Sequence, residues 1–276
     1  MMPHSRQPLA LLLFCLLSFA AACGGAASHN AGNDASENPD DDENNDNTAD
    51  DDDDASPLAC WDEPGDSATS AGMTPRQAPA YYVAQSLKYF ATLDSDADPR
   101  NIPNYSELVA RWEWPPWLKL TGLGDRAMVV IDLLLRLYPT TIPEHDCEAF
   151  PVQPFGRCHV VFHYQDTPCA IYEEFTFNDQ GQMTFIEAWS DIPGLLPTTD
   201  PNDYWAEGAG VHRLSTKIPG LGGADGLINL DSACMQQAAD QDADVADFLK
   251  RAKSPIRSWI EQFLISGKDM MQLGCK

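Results

Sequence analysis

Residues 156 to 191 narrow the folds open to this chain more than any other stretch. "GRCHVVFHYQD", "PCAIYEEFTFND" and "GQMTFIEAWSD" follow one another with a period of two, turning at Asp166 to Pro168 and at Asn178 to Gly181. Three such segments on short turns predict an antiparallel meander. Turning the second hairpin about Asp179 and Gln180 sets Glu173 opposite Ile186, Phe175 opposite Thr184 and Ile171 opposite Ala188. Carrying the first hairpin through Asp166 and Thr167 adds Val160 and Phe162 to the same face. One face then reads Val160, Phe162, Ile171, Phe175, Phe177, Ile186 and Ala188, with Glu173 among them. The other holds His159, His163, Glu174 and Glu187 beside Tyr172, Phe185 and Trp189, a mixture that suits a solvated or partner-facing side. A Glu inside an apolar face neutralises, pairs or lines a polar cavity, since burying its charge is expensive. A one-residue slip or a bulge after Gly181 would return Glu173 to solvent instead.

The segments before the sheet have helical spacing. "QAPAYYVAQSLKYFATL" predicts a first long helix and "NYSELVARW" a shorter second one. "LGDRAMVVIDLLLRLYP" predicts a third, with Asp125 at its N-terminus and Pro139 past its end. Helices first and an antiparallel sheet afterwards imply an α+β domain. From about Pro193 the chain is rich in turns, and then "DADVADFLKRAK" and "PIRSWIEQFLISG" carry apolar stripes separated by Pro255. The loops "YWAEGAG" and "IPGLGGADG" are long enough to form a lid. Equally, the terminal helices form a buttress tied down by Cys234 and Cys275.

The N-terminus addresses the chain. "MMPHSRQPLALLLFCLLSFAAACGG" has Arg6, then an apolar run that is short for a membrane span, then small residues before Cys23. This predicts a signal peptide over 1–22 with lipidation at Cys23, or else an ordinary secretory cleavage near Ala22. A lipidated Cys23 makes the protein an exported lipoprotein of the bacterial cell envelope, anchored to a membrane without a transmembrane helix. Residues 23–57 lack Lys and Arg, and read as an acidic disordered tether. Of the 42 Asp and Glu, 12 lie in this tether; of the 17 Lys and Arg, only Arg6 precedes residue 58. The remainder is therefore acidic in its own right, which argues against nucleic acid as a partner. The folded part divides into a domain over 58–192 and a loop-rich helical extension over 193–276. In an exported chain Cys60, Cys147, Cys158, Cys169, Cys234 and Cys275 are disulfide candidates, and Cys147 can meet Cys158 across "EAFPVQPFG". No CxxC pair or His/Cys cluster at zinc spacing occurs, so neither a metal site nor a cofactor is expected.

"PCAIYEEFTFNDQGQMTFIEAW" resembles the last strands of the nuclear-transport-factor-2-like superfamily, which includes SnoaL-like polyketide cyclases and ketosteroid isomerase. The resemblance covers roughly residues 78 to 192. It implies a cone-shaped barrel, a curved antiparallel sheet packed on the N-terminal helices with a cavity between them. In ketosteroid isomerase the place matching Glu173 is a protonated Asp that donates to the substrate's oxyanion. Its partner is a Tyr on the first helix, a place similar to that of Tyr89. The proton-abstracting carboxylate lies ahead of a Gly preceding the third helix, as Glu113 lies ahead of Gly122. In SnoaL-like enzymes an acid after the last strand acts instead, and Asp191 matches it.

Three functions follow as expectations. The first is a tethered binding protein holding a small apolar ligand against Phe162, Ile171, Phe175, Ile186 and Ala188, with Glu173 in the cavity. The second is an isomerase, dehydratase or cyclase: Glu113 or Asp191 takes a proton next to a carbonyl, while Tyr89 and neutral Glu173 hold the enolate. The third is a protein-interaction module or homodimer using the outer sheet face with Trp189 and Tyr172.

Overall fold

The computed structural model describes residues 74–114, 119–136, 140–164, 167–190, 196–197, 200, 203, 205–206, 213–218, 221 and 228–266. Cys23, Cys60, Asp191 and Cys275, with the signal and tether, lie outside them, as do most residues of the two expected lid loops. The described elements make an α+β domain: five helices and one curved sheet of six strands.

Helix α1 spans Pro79–Leu93 and opens with proline in its first turn, where the missing N–H leaves no bond unmade. Tyr82, Ser86, Tyr89, Phe90 and Leu93 recur every three or four residues and form its buried stripe. Strand β1 is Tyr105–Glu113, strand β2 is Lys119–Leu123, and α2 is Asp125–Leu135 with Asp125 in its first turn. Gly122 lets α2 lie close on β2, because a Cβ there would meet the Met128 sulfur at 2.0 Å. Strands β3 (Thr140–Ala149), β4 (Gly156–Tyr164), β5 (Thr167–Phe177) and β6 (Met183–Ser190) follow. The sheet order is β2-β1-β6-β5-β4-β3, with β1 and β6 parallel and every other pair antiparallel.

Three expectations change here. "NYSELVARW" is strand, not helix: β1 is an interior strand covered on both faces, so the alternation that marks a half-exposed strand is lost. Both hairpins pair two residues away from the expected register, with Glu173 opposite Ala188, Phe175 opposite Ile186 and Ile171 opposite Ser190. A shift of two preserves the faces, so Glu173 stays on the inner one. The turn before β6 is closed by Gly181, whose φ is +75°, and by the Asn178 side chain accepting from the N–H groups of Gln180 and Gln182.

The third change concerns the outer face. Tyr172, Phe185 and Trp189 are fully buried with Ala110 and Trp112, under Leu214, Ile218, Leu221, Ile228, Met235, Val245 and Phe248 of the C-terminal segment. That segment contains α3 (Ala233–Gln241, capped by Ser232), α4 (Ala243–Ala252, capped by Asp242) and α5 (Pro255–Ser266). The chain therefore covers its own sheet there, and Tyr172 and Trp189 offer no surface to a second molecule. Among the described residues the β3–β4 end is open, with Glu144, Asp146 and Glu148 exposed and His159 and His163 half-buried. Cys147 and Cys158 form a disulfide at a directly paired position of β3 and β4. Cys169 and Cys234 are disulfide-bonded as well.

Candidate functional site

The inner face packs beneath α1 and α2. Tyr82, Tyr89, Phe90 and Met128 from the helices meet Val160, Phe162, Ile171, Phe175, Phe177 and Ile186 from the sheet. One row of this face departs from that apolar pattern. Glu113 of β1 pairs with Ala188 of β6, and Ala188 pairs with Glu173 of β5. The two carboxylates thus stand two strand spacings apart, about 9.6 Å between their Cα atoms. Ala188 is the residue between them in the sheet, and the Tyr164 phenol feels both carboxylates. Ala188 is buried, yet it belongs to neither apolar cluster.

Polar and charged groups from three further elements, α1, α2 and β2, close on this row around Arg111. Arg111, two residues before Glu113, donates from Nη1 to Asp132 Oδ1 of α2 at 2.8 Å and to the Tyr89 hydroxyl of α1 at 3.1 Å. Its Nε donates to Thr121 Oγ1 of β2 at 2.8 Å, and that hydroxyl donates to Glu113 Oε1 at 2.8 Å. Thr92 donates to the second Asp132 oxygen at 3.0 Å. Arg111, Asp132, Tyr89 and Glu173 are all buried, whereas the Glu113 side chain is 23% exposed.

This network is not closed on itself. Glu173 Oε2 and Arg111 Nη2 are buried without a hydrogen-bond partner among the described residues. A buried polar atom left unpaired costs about 1–3 kcal/mol, and these two belong to ionisable groups of one cluster.

The electrostatics follow from burial. Loss of water pushes the Glu173 carboxyl up to about 8, against the pull of Arg111 and a hydrogen bond with Tyr89. Glu113 is raised too, chiefly by burial, with Arg111 and Thr121 opposing. Burial also raises Asp132 and lifts the Tyr89 phenol well above its usual range. Burial disfavours the Arg111 charge, but Tyr89, Asp132 and Glu113 together hold it protonated. At neutral pH, then, Glu173 is a neutral acid able to donate, next to a phenol that keeps its proton.

Of the residues read from sequence, Tyr89, Glu113 and Glu173 come together, and Phe162, Ile171, Phe175 and Ile186 line the same inner face. Arg111 and Asp132 were not anticipated. Asp132 did carry a signal: it interrupts "VVIDLLL", the most apolar stretch of α2. Arg111 was hidden by the helical reading of its strand.

No protein-family model matches this chain, and no curated protein matches it. Among solved structures it is similar to one described as a "putative isomerase" from Rhodopseudomonas palustris, at 9% identity and a TM-score of 0.32. The match covers 41% of this chain and 89% of that one. A likeness at that level leaves the chemistry of the site to be argued from its own residues.

Proposed function

We propose that this chain is an exported, lipid-anchored protein whose domain takes a small, largely apolar carbonyl compound into a cone-like cavity and moves a proton on it. That is the chemistry of the isomerases, dehydratases and cyclases of the nuclear-transport-factor-2-like superfamily that its last strands resemble. The observation that carries the reading is the row Glu113–Ala188–Glu173, two carboxylates on either side of Ala188 in unequal surroundings. Unequal surroundings divide two like groups into an acid and a base.

In this reading the carbonyl oxygen sits against Tyr89 and protonated Glu173, while Phe162, Ile171, Phe175 and Ile186 hold the apolar body. Glu113 takes a proton from the carbon next to the carbonyl. The C–H electron pair becomes the enolate double bond, and the carbonyl pair moves onto oxygen, where the two donors stabilise it. Return of the proton from Glu113 to a different carbon completes an isomerisation; loss of a β-hydroxyl as water completes a dehydration. Arg111 orients the site: by donating to the Tyr89 oxygen it leaves the phenol proton to point elsewhere. Cys23 and the acidic tether would hold the domain off the envelope membrane.

The test uses the full chain labelled with ¹³C at Glu carboxyls, with Glu173→Gln identifying the Glu173 signal and a fluorescent naphthol as a mimic of the enolate oxygen. Glu173 should titrate near 8, and Tyr89→Phe should weaken naphthol binding at least tenfold, about 1.4 kcal/mol. A Glu173 that titrates near the ordinary value of about 4.3, together with no naphthol binding, defeats the proposal.

A further inference from the structure

The outer face carries a second row of charged groups directly behind the first. Trp112 pairs with Glu187 and Glu187 with Glu174, each residue next in sequence to one of the inner row. Two carboxylates side by side repel, and both are buried here. The C-terminal segment resolves this within three residues. Arg213 takes both oxygens of Glu174 at 2.7 Å, and the N–H groups of Leu214 and Ser215 donate to the two oxygens of Glu187 at 2.5 and 3.1 Å. Glu187 Oε1 also accepts from the Trp114 indole N–H at 2.8 Å. Three N–H donors converge on the two Glu187 oxygens, which supply the lone pairs to accept them.

The Trp114 contact bears on the inner site. Glu113 is the last residue of β1, and Trp114 follows it, held to β6 by one backbone bond to the Ala188 carbonyl at 2.9 Å. Successive strand side chains point to opposite faces. Anchoring the Trp114 side chain outward therefore fixes the Glu113 side chain inward.

We propose that Glu187 is a positioning residue for Glu113: held from behind by Leu214 and Ser215, it pins the end of β1 through Trp114 and so keeps Glu113 in the row with Glu173. This rests on the reading of Glu113 as the base. It gives the C-terminal segment a part in the site although it lies on the far face of the sheet.

The experiment compares the ¹³C titration of Glu113 in the wild-type chain with Glu187→Gln, Trp114→Phe and Arg213→Lys. The Gln amide sets a donor against the donors around it, and Phe removes the indole N–H but keeps the ring. In both variants Glu113 should relax toward water and titrate lower, near an ordinary carboxylate, while Glu173 stays put. Arg213→Lys leaves the Glu187 bonds intact and should leave Glu113 unmoved. General destabilisation cannot produce that pattern, because titration is read on folded protein, checked by near-UV circular dichroism. If Glu187→Gln fails to fold, Trp114→Phe alone decides. A Glu113 titration that is unchanged in the folded variants overturns the proposal. A wild-type chain whose Glu173 titrates near its ordinary value and that binds no naphthol, while its Glu113 still responds to Trp114→Phe, overturns the proton-transfer reading and leaves the coupling standing.

Discussion

The two faces of the sheet hold the same kinds of group and treat them differently. On the outer face every oxygen of Glu174 and Glu187 is matched, by Arg213, by the Tyr172 hydroxyl at 3.0 Å, and by the indole and two backbone N–H groups. On the inner face Arg111, Asp132, Glu113 and Glu173 share one network, yet one guanidinium nitrogen and one carboxyl oxygen remain over. Matched buried charges fix an architecture. Under the proposed function, the groups left over on the apolar face are where a ligand atom would complete the bonding.

Truncating one member on each face should break this comparison most sharply. Arg213→Ala removes the guanidinium that takes both oxygens of the buried Glu174, and should cost about 3–5 kcal/mol in denaturant unfolding. Glu173→Gln keeps the shape and removes a titrating group whose Oε2 had no partner; at about pH 4, where the carboxyl is largely protonated folded and unfolded alike, it should change stability by less than about 1 kcal/mol. Equal losses from the two substitutions would erase the distinction between a holding face and a working face.

A smaller effect separates the faces by pH. Glu173 is lifted to about 8 and Glu187 to about 7, both mainly by burial. Each carboxyl binds its proton more tightly folded than unfolded. Its contribution to stability is therefore fully present below the unfolded pKa of about 4.3 and is lost as pH rises through the folded one. The wild-type urea midpoint should fall from pH 4.5 upward, with the larger part of the fall between pH 7 and 8 coming from the inner face. Glu173→Gln should flatten that part more than Glu187→Gln does. A slope between pH 7 and 8 that survives Glu173→Gln undiminished would assign the proton release to another group.

How much of this was legible in the sequence differs between the faces for a physical reason. The meander β4–β6 and the inward place of Glu173 follow from period-two alternation, which survives a register error of two. Tyr89 and the two helices packed on the inner face follow from helical spacing. Strand β3 was missed because an edge strand is kept from pairing by residues such as Pro143, Glu144 and Asp146, the types that argue against a strand. The outer face was misjudged because Glu174 and Glu187 look solvated on a strand. Only knowledge that Arg213 to Ser215 arrive from 27 to 39 residues away would bury them. Arg111 fell to the same difficulty, since its partners Tyr89, Thr121 and Asp132 lie on three other elements.

The smallest expected effect tests where the C-terminal segment is held. Lys119 of β2 reaches Asp247 of α4 at 2.6 Å, with both side chains about a quarter exposed, and Asp247 also accepts from Arg251 one turn on at 2.9 Å. Such half-solvated pairs contribute about 1 kcal/mol or less and weaken with salt. Asp247→Asn should therefore lower stability by under about 1 kcal/mol, and the difference from wild type should shrink as sodium chloride is raised to 1 M. A loss that matched Arg213→Ala and ignored salt would mean that the segment hangs from the β2 edge. The row at Glu174 and Glu187 would then be a consequence of docking, and the matched outer charges would no longer explain why that face is closed.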